Sequence, residues 1–342
     1  MNAASYVSSP GHPQNSLSAR AATLGSWAIG GAIFLTIGWL AVEPDDPLGA
    51  VSILTRSNAA TMLIEAAALA VVASAMGAAL AGQRRVDIGM VATALGLAAV
   101  SLRGSTACAL LVDNADGGSV VGRDLPLKLA LEAMAWFAVV ALSLGVSAWV
   151  TQWCFTRPSH PAAAGAGGRS DAPLAAGFDV PVLGARLFHR RPEEQTPLRD
   201  GLKHTGLVTG VALVAMAFFC AGLSARSIQH GQVCFVVAAA VVTGSYVGHH
   251  VAPVRSALWS ILAVPAIAVI GYVWASVRPA VGGLPAPIPA SHFLRVLPIQ
   301  YISVGTVAAV VMFWQMHGAY DVRRAPSVQS GGQAQRGQGP RG

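Results

Sequence analysis

Eight apolar stretches, each about long enough to cross a lipid bilayer, dominate the sequence. They lie near residues 25–42, 59–82, 88–111, 127–153, 205–226, 231–248, 257–277 and 297–316. Roughly 20 apolar residues span the hydrocarbon layer, because a helix rises about 1.5 Å per residue and the layer is about 30 Å thick. With 54% hydrophobic and 11% charged residues, the chain has too few polar side chains to cover a soluble globule. The sequence therefore predicts an all-α polytopic membrane protein with eight transmembrane helices in a lipid bilayer.

The spacing of these stretches divides the chain into five parts. They are a polar N-terminal tail (1–24), a first four-helix membrane half (25–153), a long cytoplasmic linker (154–204), a second four-helix half (205–316) and a basic C-terminal tail (317–342). The linker begins with a flexible stretch rich in proline and glycine. Its segment 178–204 mixes apolar and charged residues, which favours contact with the membrane surface or with a protein partner. The C-terminal tail is expected to be disordered, because it has no apolar surface to bury.

The distribution of basic residues predicts the orientation. If alternate loops face opposite sides, Arg84–Arg85 and Arg323–Arg324 lie on the side that holds both termini, whereas the acidic segments 43–47 and 113–118 lie on the other side. Since cytoplasmic loops carry an excess of arginine and lysine, we expect both termini in the cytoplasm. The arginines form no stripe with aromatic residues, so a nucleic-acid partner is not expected. Their excess over lysine reflects genome base composition and favours a bacterial cytoplasmic membrane.

A weak internal similarity relates the two sets of helices. The tripeptide 101–103 resembles 276–278 at the end of the third helix of each set, and residues 125–128 resemble 297–300 before the fourth. A duplication of four helices would give two halves of equal orientation, related by an axis along the membrane normal. The alternative is that both matches are ordinary helix-end sequences, since proline is tolerated in the first turn of a helix.

Three charged residues fall inside predicted helices at similar depth. Arg103 lies in the third helix, Glu65 in the second and Glu132 in the fourth, and all three are expected within roughly 10 Å of the outer boundary. An unpaired charge inside a bilayer is costly, so the sequence predicts an intramembrane cluster in which Arg103 pairs with both carboxylates. Alternatively, the two carboxylates are stabilised by the helix N-termini while the Arg103 side chain extends to the lipid headgroups.

Four histidines lie at the predicted cytoplasmic end of the second half: His204, His249, His250 and His317. Imidazole binds metal ions and haem. However, adjacent histidines on a helix point about 100° apart, and no cysteine or acidic residue stands at ligand spacing. We therefore expect no metal site and no cofactor, with a haem-binding or metal-binding redox protein as an alternative.

No pattern in the sequence is typical of a catalytic site. It has no recognisable pair of nucleophile and base, no zinc motif and no phosphate-binding loop. The sequence thus favours a non-catalytic component or assembly factor of a membrane complex over an enzyme. The main alternative is a small-solute or ion permease that uses the charge cluster. Permeases commonly contain broken helices, whereas here only Pro265 interrupts a predicted helix near its middle.

Overall fold

The structure is a computed structural model that describes residues 17–46, 49–81, 87–113, 115–116, 120–121, 124–155, 197–221, 229–277 and 292–324. The predictions for the first 16 residues, for the linker between 156 and 196 and for the tail beyond 324 lie outside the described residues. Helix extends past four predicted boundaries. The helix Leu17–Ile33 begins within the predicted N-terminal tail, Asp124–Phe155 ends and Leu198–Ala221 begins within the predicted linker, and Pro298–Arg324 continues past residue 316.

The regular secondary structure of the described residues is helical apart from two short antiparallel strands and one isolated parallel bridge between Ala50 and Ser105. In chain order its elements are α1 (Leu17–Ile33), a π-helical turn (Phe34–Gly38), α2 (Trp39–Val42), a 3-10 helix (Ile53–Thr55), α3 (Ala59–Ala81), α4 (Asp87–Ser101), α5 (Ala107–Asp113), β1 (Ala115–Asp116), β2 (Val120–Val121), α6 (Asp124–Phe155), α7 (Leu198–Ala221), α8 (His230–Val251), α9 (Leu258–Val277), a second 3-10 helix (His292–Arg295) and α10 (Pro298–Arg324).

Seven of these helical segments are long and apolar enough to cross a membrane: Ala21–Val42, which ends with α2, and the helices α3, α6, α7, α8, α9 and α10. Their outward faces carry large apolar side chains such as Leu131, Val214 and Phe218, each at least 72% exposed. A water-soluble protein would not expose so many of these side chains, whereas lipid tails solvate them. The prediction of a helical, multi-pass membrane protein is confirmed.

Helix α4 is a short apolar helix inside the bundle. Most of its 15 residues are buried, because it packs against α1, α3, α6 and α10. Glycines permit close approach of the helix backbones: a Cβ at Gly30 would lie 2.2 Å from the carbonyl oxygen of Ala92, and one at Gly89 would lie 2.4 Å from that of Ser74. Contacts of this kind are typical of helix packing in membranes, where small side chains let backbones meet.

The prediction that one uninterrupted helix covers 88–111 is wrong. Helix α4 ends at Ser101, and helix resumes only with α5. Between them, the backbone N–H of Ser105 donates to the carbonyl oxygen of Gly49 at 2.9 Å. Gly104 permits this approach, since a Cβ there would lie 3.1 Å from the same oxygen. The chain leaves the helix because pairing with the connection between α2 and α3 satisfies its backbone groups.

The long helices pack in a regular order. In a first group, α1 and α6 each contact both α3 and α4. In a second group, α7 and α10 each contact both α8 and α9. Between the groups, α6 packs on α9, α10 packs on α4, and α6 and α10 pack on each other. We call the end of the bundle that holds the N-terminus of α6 the Glu132 end, and the end that holds the N-terminus of α4 the Asp87 end.

Candidate functional site

Glu132 lies inside the bundle, with 4% of the residue exposed. Its Oε1 accepts hydrogen bonds from the backbone N–H of Ile53 and from the indole N–H of Trp136, both at 3.0 Å. Its Oε2 lies 2.5 Å from the hydroxyl of Ser52. All three partners are neutral groups, so the carboxyl is held by hydrogen bonds and not by an ion pair. Glu132 therefore attaches the connection between α2 and α3 to helix α6.

The local sequence explains this geometry. Trp136 follows Glu132 by four residues, which places both side chains on one face of α6. Ser52 precedes the first 3-10 helix, and its hydroxyl also accepts the backbone N–H of Leu54 at 3.2 Å. Helix α9 packs against α6, and the hydroxyl of its buried Tyr272 donates to the Val296 carbonyl at 2.7 Å. The site thus lies where both helix groups meet.

Glu65 has a different partner and a different environment. Its Oε2 lies 3.5 Å from Nη1 of Arg56, and the two side chains are 44% and 22% exposed respectively. Arg56 also donates a hydrogen bond to the carbonyl oxygen of Ala41 at the end of α2. This pair belongs to the outer surface of the bundle at the Glu132 end.

Arg103 is exposed and bonds to the backbone of the first helix of the chain. Its Nη1 donates to the carbonyl oxygen of Leu35 at 2.8 Å, and its guanidinium lies 4.6 Å from the centre of the Trp39 ring. Leu35 belongs to the π-helical turn, where the regular hydrogen-bonding of an α-helix is altered. Arg103 interrupts an apolar stretch of the sequence because its guanidinium donates a hydrogen bond to the Leu35 carbonyl and covers the Trp39 ring.

The structure does not bring the three predicted charges together. Glu132 is bound by neutral donors, Glu65 by Arg56, and Arg103 by a carbonyl and an aromatic ring. All three residues lie toward the Glu132 end of the bundle, but residues at one depth point in different directions around their helix axes, by about 100° per residue. In addition, the break after α4 removes Arg103 from the helix face on which the predicted cluster depended.

Arg295, which the sequence analysis did not identify, is buried at the Glu132 end. Its Nη1 donates to the carbonyl oxygen of Cys220 at 3.1 Å, near the end of α7. It follows α9 in the chain as Arg103 follows α4, and α7 opens the second group as α1 opens the first. A single charge two residues before a Leu-Pro pair carries no periodic signal, so spacing alone could not have marked it as buried.

Hydrogen bonds of Gln300 and His230 join the two helix groups at this end. The side-chain oxygen of Gln300 accepts the backbone N–H of Leu297 at 3.2 Å, so its amide nitrogen faces Nδ1 of His230 at 3.1 Å. Nδ1 therefore accepts, and Nε2 carries the hydrogen that is donated to the carbonyl oxygen of Gly104 at 2.8 Å. His230 thus ties α8 and α10 to the break that follows α4.

At the Asp87 end, a carboxylate also joins the two groups. The indole N–H of Trp314 on α10 donates to Oδ2 of Asp87, which is fully buried at the start of α4. The Trp314 ring stacks on Trp27 of α1, with centroids 6.4 Å apart and planes 3° apart. Buried carboxylates therefore lie near both ends of the contact between the groups.

Two of the four candidate histidines lie together. His204 is buried, its Nδ1 donates to the Ala252 carbonyl at 2.8 Å, and its Nε2 accepts from the Ser260 hydroxyl at 2.9 Å. The His249 ring meets it edge to face at 6.3 Å, whereas His250 is exposed and bonds within its own helix. The side chain of His317 lies outside the described residues.

Within the described part of the chain, no group of three or more histidine, cysteine, aspartate or glutamate side chains is close enough to hold a metal ion. Both ring nitrogens of His204 are already used by hydrogen bonds to protein groups. The arrangement around this histidine is therefore that of a residue that fastens α7 to the ends of α8 and α9.

Comparison with known proteins adds no assignment to this geometry, because no family model, curated sequence or solved structure matches the chain significantly.

Proposed function

We propose that the chain is a permease for small solutes or ions, built from two four-helix halves with eight membrane crossings and with both termini in the cytoplasm. The observation that carries the proposal is the packing order of the long helices. Exchanging α1, α3, α4 and α6 for α7, α8, α9 and α10 converts the packing of α1 and α6 on α3 and α4 into the packing of α7 and α10 on α8 and α9, whereas the packing of α3 on α4 has no comparable counterpart between α8 and α9. The same exchange converts the contact of α6 with α9 into that of α10 with α4. Parallel repeats of this kind are typical of transporters.

Interruptions of the helices also support a permease. Helix α4 is broken after Ser101, the first helix contains a π-helical turn next to Arg103, and Pro265 lies inside α9. Broken helices and π-helical turns are common at functional sites, because they free backbone groups to bind ligands or to move. In this proposal, α4 and α5 together form the eighth crossing, since α4 alone is only about 22 Å long at 1.5 Å per residue.

Arg103 and Arg295 support the two-halves arrangement independently. Each follows the third helix of its group. Arg103 donates to Leu35 in the π-helical turn that continues α1, and Arg295 donates to Cys220 in α7. Arg278, which the sequence pairs with Arg103, lies outside the described residues. Arg103 and Arg295 thus make similar bonds in the two groups, although they do not occupy equivalent positions in the sequence match.

The test of transport is a flux assay on reconstituted protein. Trp27→Cys and Trp314→Cys, in a chain whose four native cysteines are replaced by alanine, would be joined by a bis-methanethiosulfonate reagent through two reducible disulfides, because the two rings stack across the groups. We expect cross-linking to abolish the exchange of at least one labelled solute from a panel of ions, amino acids and polyols, and reduction to restore it. Each single-cysteine variant is the control. A flux that is equal to protein-free vesicles, or insensitive to the cross-link, would contradict the proposal.

The orientation has a separate test. Cysteines introduced at Gly118 and Gly167, one in each variant, would be treated with an impermeant thiol reagent from outside the cell. We expect labelling at Gly118 only, since the connection at 112–124 is proposed to be external and the linker cytoplasmic. Labelling at Gly167 alone, or at both positions, would contradict this orientation.

A non-catalytic component of a membrane complex is the second candidate. It is favoured by the number of buried polar groups that are used for internal attachment, such as the carboxyl of Glu132 with three donors and the ring of His204 with two partners. Extraction in a mild detergent followed by mass determination distinguishes the two candidates. A component is expected to elute with stoichiometric partner proteins, and a haem protein would in addition show a visible absorption band that is lost in the His249→Ala, His250→Ala variant.

A further inference from the structure

Four buried hydroxyl groups of the second helix group have no hydrogen-bond partner: Thr209, Ser245, Ser303 and Thr306. Each is at most 6% exposed. Serine and threonine in a helix usually bond to a carbonyl three or four residues earlier, and an unpartnered hydroxyl in an apolar interior is costly. Buried hydroxyls that do not make this bond therefore indicate a hydrogen-bond partner outside the chain, such as a bound water or solute.

The first helix group provides the contrast. The hydroxyls of Ser143, Ser147 and Thr151 on α6 are buried as well, but each bonds to a carbonyl of its own helix at 2.6–2.8 Å. Membrane burial alone thus does not leave a hydroxyl unpartnered in this protein. The difference points to the interior of the second group.

Three of the four residues lie at one level of the bundle. Thr209 and Ser245 directly follow Val208 and Gly244, and a Cβ at Gly244 would lie 2.6 Å from the Val208 carbonyl oxygen. Both residues are therefore next to a point where α7 and α8 approach each other closely. Thr209 follows His204 by five residues, which is roughly 8 Å along the helix axis.

Thr306 reaches the same level from α10. It directly follows Gly305, whose Cβ would lie 2.7 Å from the side chain of Val264 on α9. Val264 is one turn, roughly 6 Å, beyond Ser260, and the Ser260 hydroxyl is bonded to His204. Measured from the His204–Ser260 contact, Thr306 thus lies at about the depth of Thr209, one to two turns into the bundle.

Helix α9 contributes a backbone group between the His204–Ser260 contact and this level. Pro265 lies inside α9 and has no N–H to donate to the carbonyl of Ile261, four residues earlier. Thus α7, α8 and α10 each supply a hydroxyl, and α9 supplies a carbonyl that its own helix does not bind in the regular way. Within the described apolar helices the sequence has no Asp, Glu, Lys or Arg from His204 to Cys220, along all of α8 and α9, or from Pro298 to Met316.

We propose that Thr209, Ser245 and Thr306 bind a small, uncharged, hydrogen-bonding molecule inside the second helix group. Hydroxyls both donate and accept, and so suit water, a polyol or an amide. The helices provide no charged side chain to neutralise an ion at this level, which favours a neutral ligand over an ion. As a substrate site of a permease this inference rests on the proposed function, and it restricts the transported class to neutral polar solutes.

Thermal unfolding in detergent tests the site without requiring transport. The variant Thr209→Val, Ser245→Ala, Thr306→Val removes the hydroxyls and nearly preserves side-chain volume. The matched control is Ser143→Ala, Ser147→Ala, Thr151→Val. We expect the melting temperature of the first variant to fall by about 2–4 °C or more relative to the control. If this triple variant does not fold, Thr306→Val is compared with Thr306→Ser, and only the former is expected to lose stability.

Millimolar glycerol and urea, used separately as probes, identify the occupant. A rise in melting temperature of the native chain that is absent in the hydroxyl-free variant indicates a solute site. The same loss of stability without any probe effect indicates bound water. A hydroxyl-free variant that melts at or above the native temperature, or a stabilisation by sodium chloride that depends on the hydroxyls, would overturn the proposal. A confirmed site without flux of any solute of the panel into vesicles would contradict the permease function alone.

Discussion

Two pairs of charged residues at the Glu132 end of the bundle differ in their environment. Glu132 and Arg295 are buried, and each bonds to the backbone of a connection or helix end: Ile53 for the carboxyl, Cys220 for the guanidinium. Glu65 and Arg103 are exposed to a greater extent, and Glu65 is paired with Arg56. The depth of a charged residue along its helix is therefore a poor guide to its contribution to the free energy of unfolding. That contribution depends on the direction of the side chain and on how far its partners are removed from solvent.

The buried pair should account for most of the stability that charged groups contribute at this end. A buried donor or acceptor that loses its partner retains its full desolvation penalty, about 1–3 kcal/mol for each group. An exposed ion pair competes with water and typically contributes about 0–1 kcal/mol. Four substitutions, taken from the largest expected effect to the smallest, test this difference.

Glu132→Ala should have the largest effect, a loss of about 3 kcal/mol or more in the free energy of unfolding, because it leaves three buried donors without an acceptor. The measurement is thermal or denaturant unfolding in detergent, followed by tryptophan fluorescence. Glu132→Gln is the matched control. It retains an acceptor for Ile53 and Trp136, so its loss should be about 1 kcal/mol. Equal losses in the two variants would show that the hydrogen bonds contribute little.

Arg295→Ala should destabilise the protein by about 2 kcal/mol, since hydrogen bonds from charged donors contribute roughly 1.5–3 kcal/mol. The substitution leaves the carbonyl of Cys220 without this donor at the end of α7. Arg295→Lys keeps a positive charge but not the planar guanidinium, and we expect it to recover only part of the loss. The prediction fails if Arg295→Ala unfolds at the same temperature as the native chain.

Arg103→Ala should have a smaller effect, about 1 kcal/mol, from the loss of one exposed hydrogen bond and a cation–π contact. Since Arg103 covers the Trp39 ring, the variant should also change the tryptophan fluorescence of the folded protein. Combined with Glu132→Gln, its effect should be additive, because the two side chains share no partner. A clear departure from additivity would restore the charge cluster that the sequence predicts.

The sequence predicts the membrane class and the positions of the apolar helices, because composition and the length of apolar stretches report these directly. It also predicts that Arg103, Glu65 and Glu132 lie near one end. It does not predict their partners, since these depend on the π-helical turn at Leu35 and on the break after α4, which form through contacts between segments distant in the chain. The unpartnered hydroxyls of the second group are not predictable either, because serine and threonine in apolar helices usually bond to their own backbone.

Glu65→Gln should have the smallest effect, about 0.5 kcal/mol or less, because its partner Arg56 lies at the surface and keeps its bond to Ala41. A double-mutant cycle separates the two possible partners. The cycle with Arg56→Gln should give a coupling free energy of about 0.2–1 kcal/mol that falls as salt is added, since salt screens exposed charges. The cycle with Arg103→Gln should give a coupling near zero. If Arg103 coupled more strongly to Glu65 than Arg56 does, the charges would pair as their depth along the sequence suggests, and side-chain direction would not be the deciding factor.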